Sequence, residues 1–95
     1  MENINDDQLY NQIRRGNEVK DLAQDPGFIL IMESLKTDAE EATMKLKEVD
    51  PEDSKKIREL QNIIWRYDEI AARMYTLISM GMEAAEELQD KGEMS

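Results

Sequence analysis

The chain has 95 residues, with 12 Lys and Arg against 22 Asp and Glu, a formal net charge of −10, and neither Cys nor His. Its length bounds it to one domain, and the missing residue types exclude disulfides, thiolate metal sites and imidazole bases. The negative charge is spread along the chain, which opposes binding to nucleic-acid phosphate or anionic lipid and permits a basic protein partner.

With one Phe, one Trp and three Tyr, burial must come mainly from Leu, Ile, Met and Ala. No apolar run approaches the roughly 20 residues of a membrane span. The opening MENINDDQLYN is acidic and polar, unlike a signal peptide. The absence of Cys fits a cytoplasmic setting.

The segment DDQLYNQIRRGNEVKDLA, residues 6–23, reads as a helix with Leu9, Ile13 and Leu22 on one side. Asn5 or Asp6 suits its N-cap. Gly16 costs about 1 kcal/mol against Ala inside a helix, so two shorter helices broken at RRGNE stay open. In QDPGFILIMESL, Asp25 is a good N-cap and Pro26 suits the first helical position, which needs no N–H partner. Phe28, Met32, Leu35, Ala39, Ala42, Leu46 and Val49 then recur at heptad spacing and predict a helix over 26–49. Ile29, Leu30 and Ile31 widen its apolar surface near the start.

EVDPED, residues 48–53, reads as a sharp turn between helices. Asp50 is placed as the cap, Pro51 as the first helical residue, and Asp53 as the group reaching back to the Asp50 N–H. Pro51 biases Asp50 away from helix, so the connection is short and its neighbours antiparallel. The next helix is predicted over 51–89. Its seam is Ile57, Leu60, Ile64, Tyr67, Ala71, Met74 and Ile78, continued by Gly81, Ala85 and Leu88 and flanked by Ile63, Ile70 and Leu77. By the helical rise it spans roughly 58 Å against roughly 36 Å for the helix before it. Met74, Leu77, Ile78 and Leu88 therefore need either the first helix or another chain to cover them. The expected architecture is all-α: one domain, residues 1–95, with an antiparallel helical hairpin, a long C-terminal helix and an N-terminal helix.

Carboxylates are the only abundant reactive groups. Asp38 with Glu41, and Glu83 with Glu86, Glu87 and Asp90, share helix faces. A magnesium-dependent phosphate enzyme needs such pairs facing inward from separate helices, but these flank the seams. Ser34, Ser54, Ser79 and Ser95 lack a base, and no phosphate-cradling glycine loop occurs. The chain is read as no enzyme, with no catalytic residues, metal or cofactor. Glu69 with Arg73, Glu41 with Lys45 and Glu52 with Lys56 have the acid-first order of helical ion pairs. Arg14, Arg15, Arg66 and Arg73 are too sparse for a nucleic-acid groove.

The better clues are apolar and aromatic. Phe28, Ile31, Trp65, Tyr67, Met74, Tyr75, Ile78, Met82 and Leu88 are candidates for a protein interface, since Trp and Tyr are enriched in hot spots and Met fills adaptable surfaces. Core edge is the plainer reading of the same residues.

The order VKDLAQDPGFILIMESL, VDPED, IRELQNIIWRYDEI resembles small acidic helical-hairpin proteins encoded among tailed-phage head and packaging genes. The likeness covers residues 19–70 and implies a virion or assembly setting, with no catalytic residues to carry over. The leading reading is a non-enzymatic structural or protein-interaction module in phage particle assembly, located in the cytoplasm or in a phage particle within an infected bacterial cell. A protein partner or self-association is expected, with no direct nucleic-acid binding and no membrane. The alternative is an acidic regulatory or inhibitory protein that occupies a basic, nucleic-acid-binding surface. The magnesium-dependent enzyme is the lesser alternative.

Overall fold

The structure, a computed structural model, describes residues 6–94. The opening MENIN, the cap candidate Asn5, and Ser95 lie outside them. The fold is all-α: α1 spans Asp6–Ala23, α2 Pro26–Leu46 and α3 Ser54–Met94. α2 and α3 form the antiparallel hairpin, and α1 adds the N-terminal helix, as the heptad spacings and the two Asp-Pro pairs predict. The chain divides into two compact units. One joins α1 to α3 from Arg73 onward, and the other joins α2 to α3 up to Ala72.

In the first unit, α1 is one unbroken helix through Gly16. Gly16 is buried against α3, not a break in α1. A Cβ added there would lie 3.0 Å from the Leu77 carbonyl oxygen and 3.1 Å from Gly81 Cα; one added at Gly81 would lie 3.0 Å from the Gln12 carbonyl oxygen and 3.1 Å from Gly16 Cα. Neither glycine has a positive φ. Their use here is space: two helix backbones meet with no side chain between them. At one end of the same packing the Lys91 ammonium donates to Asp6 Oδ1 at 3.0 Å. Residue numbers therefore rise along α1 as they fall along α3, and the pair is antiparallel. Leu9 and Ala84 complete the buried set. Leu22, expected on this side, is exposed, and Val19 and Ala23 take the inward positions.

In the second unit, Ala39, Ala42 and Leu60 are buried, while Leu35, Leu46, Val49, Ile57, Ile64, Tyr67 and Ala71 are half-buried around them. This matches the predicted seam. Small alanines on α2 let the helices approach, and the larger side chains close the flanks.

The turn corrects three expectations. α2 ends at Leu46 rather than at residue 49, because the N–H groups of Lys47 and Glu48 bond back only three residues, to Met44 and Lys45. That tightening is a usual helix ending, and Val49 stays half-buried after it. Asp50 does not cap α3. Its carbonyl accepts the Asp53 N–H at 2.9 Å, and its Oδ1 accepts the Glu52 N–H at 2.9 Å. This is a β-turn with Asp first and Pro second, both favoured there. The cap is Asp53, whose Oδ1 accepts the Lys56 N–H at 3.1 Å, and α3 starts at Ser54. Glu52 thus sits before the helix, and its spacing to Lys56 is not a helical ion-pair spacing. At the other end α3 runs on past residue 89 to Met94.

Candidate contact surface

α3 shows a different register in each unit. Up to Ala72 its inward residues are Ile57, Leu60, Ile64, Tyr67 and Ala71, with Ile63 half-buried beside them. From Arg73 they are Met74, Leu77, Gly81, Ala84 and Leu88, with Ile78 and Ser79 half-buried beside them. The expected seam carried one phase throughout and placed Ala85 inward. Ala85 is exposed, and Ala84 is 2% exposed. The two registers are separated by successive steps of three, from Ala71 to Met74 to Leu77. Such a step shifts the phase of a heptad. The physical cause is the change of partner helix.

This decides where the nine proposed interface residues stand. Met74, Ile78 and Leu88 are half-buried in the unit that holds α1, so α1 of the same chain supplies the cover they needed. Phe28 and Tyr67 are half-buried in the other unit. Ile31, Trp65, Tyr75 and Met82 remain outward, with Trp65 64% and Tyr75 74% exposed. Leu30, Tyr10 and Met44 are exposed to a similar degree and lie outside those nine. Leu30 and Met44 sit midway between seam positions, two residues from the neighbour on either side.

Trp65 has the most developed surroundings. It sits on the α3 face away from Leu60. One groove beside it is lined by Gln61, Asn62, Ile64 and Asp68, and another by Glu59, Asn62, Ile63 and Arg66. Through Trp65 runs a second stripe that core-directed reading missed. Lys55, Arg58, Asn62, Trp65, Glu69 and Ala72 are all exposed and follow steps of three, four, three, four and three. That spacing keeps six side chains on one face.

Asp38 and Glu41 are exposed and line a groove of about 230 Å³ on the α2–α3 packing, with Lys45 and Arg66 on its rim. Among the described residues no three carboxylates converge on a point that could hold a metal ion. The described helices also include none long and apolar enough to cross a membrane. The clearest ion pair within α1 is Arg14 Nη1 to Glu18 Oε1 at 3.0 Å, on the surface and in base-first order. In comparisons with known proteins, no family model, curated protein or solved structure matches this chain.

Proposed function

We propose that the protein is a non-enzymatic structural module that makes contacts with other polypeptides, acting in phage particle assembly in the cytoplasm of an infected bacterial cell. The observation that carries the contact-making part is Trp65. The chain's single Trp stands 64% exposed between two grooves on a helix whose opposite face is already used for folding. An aromatic side chain held on a regular helix loses little freedom on docking and brings a large apolar area, which is why Trp anchors interfaces. The assembly setting draws on the resemblance of residues 19–70 to phage head and packaging proteins.

The test is a photo-cross-linking residue at position 65 of the full chain, expressed in its natural setting. A second chain carries the same group at Lys36, an exposed polar position on α2. A discrete adduct from position 65 and none from position 36 is the expected result. No adduct from position 65 removes the reading.

A further inference from the structure

The stripe through Trp65 names a partner. We infer that it is the contact face for a second copy of this chain, with the two α3 segments antiparallel and related by a two-fold axis between Asn62 and Trp65. The inference rests on the contact-making reading and adds the identity of the occupant.

The charges set the direction. In a parallel pair, Arg58 meets Arg58, Lys55 meets Lys55 and Glu69 meets Glu69, all unfavourable. In an antiparallel pair about that axis, Arg58 of each copy meets Glu69 of the other, and Trp65 of each meets the other's Asn62. Lys55 then lies over Ala72, which leaves room for its stem. The flanks agree. Positions beside an antiparallel seam face their own kind, which sets Glu59 against Arg66 and Gln61 against Asp68. Each unlike pair occurs twice by symmetry, the signature of a self-complementary surface.

Two further observations fit. The protein carries −10 overall, yet this stripe holds Lys55 and Arg58 against Glu69, so self-repulsion across it is low. Both grooves beside Trp65 also include Asn62. The axis therefore places each Trp65 ring at the groove next to the partner's Asn62. Glu69 has an interaction within its own chain, and a carboxylate accepts several hydrogen bonds at once. A single helix face is a small interface, under about 1,200 Å² in total, so the dimer is weak.

Sedimentation equilibrium of the full chain tests this, at concentrations up to about 1 mM, where weak pairs populate. Circular dichroism of every variant checks the helices. The wild type is expected to dimerise, and Trp65→Ala to be monomeric. R58E and E69R should each weaken the dimer about tenfold by setting like charges together. The double variant R58E/E69R exchanges the two charges and should restore the dimer. A wild type that stays at 11.1 kDa throughout overturns the inference. So does a dimer indifferent to R58E, or a double variant weaker than either single one. The two readings fail separately. An adduct from position 65 with a different polypeptide, alongside a monomeric protein, removes the second copy and keeps the contact-making role. No adduct removes both.

Discussion

The two packings made by α3 reach closeness by opposite means. Against α1, contact is backbone to backbone at Gly16 and Gly81, with Leu9 and Ala84 filling beside them. Against α2, contact is side chain to side chain, with Leu60 set among Ala39, Ala42 and a half-buried ring of larger residues. The first takes an added atom only if backbone gives way by a few tenths of an ångström; the second depends on atoms that are present. A single helix can serve both partners because its inward register changes between Ala71 and Leu77. Specificity for each partner then lies in which residues are small.

The strongest way to break the α1 packing is to fill it. Gly16→Leu pushes four carbons into the Leu77 carbonyl and the Gly81 backbone. The helices must part, so Leu9 loses its cover. The expected loss is about 4 kcal/mol, above the common range for overpacking because the obstacle is backbone. In a chain of this size that is a large share of the total. Urea unfolding followed by circular dichroism measures it, and hydrogen exchange locates it in α1 and in α3 beyond Arg73. Gly92→Ala is the control, since an added Cβ there meets nothing within 4 Å and its stability should be unchanged or higher. Equal effects of the two substitutions contradict the packing.

The α2 side should respond to removal instead. Leu60 is 3% exposed, and Leu60→Ala deletes its buried carbons and leaves a cavity beside Ala42. About 3 kcal/mol should be lost, with faster exchange in α2 rather than in α1. Loss of protection confined to α1 contradicts the assignment of Leu60 to the α2 packing.

How much of this was readable in the sequence follows from the same contrast. Side-chain contacts repeat at helical spacing, so the seam on α2 and the first half of α3 was legible, as were the bounds of α1 and the start of α2 at Pro26. The meeting of Gly16 and Gly81 was not. A glycine in a helix carries a known penalty, and the compensating contact lies 65 residues away along the chain. Ala84 was missed for a related reason: extending one heptad phase assumes one partner, and α3 has two. The exposed stripe through Trp65 was present in the spacing. It was overlooked because its members are mostly polar, and a core search ignores polar residues.

The smallest effects separate the two packings at their polar ends. The α2–α3 hairpin closes through a turn with its own bonds, and Asp53 caps α3 by accepting the Lys56 N–H. Asp53→Ala leaves that N–H to water and should cost about 1 kcal/mol. In the α1–α3 packing the polar contact shown between the helices is the exposed pair of Asp6 and Lys91 at 3.0 Å. Both side chains are about half exposed or more, so Asp6→Ala should cost no more than about 0.5 kcal/mol and less in high salt. The cap is a local hydrogen bond within the chain's own turn and should keep its effect in salt. Urea midpoints of both variants at low and high ionic strength compare them directly. If Asp6→Ala proves the costlier change, α1 is held by charge more than by the glycine contact, and the difference drawn between the two packings is wrong.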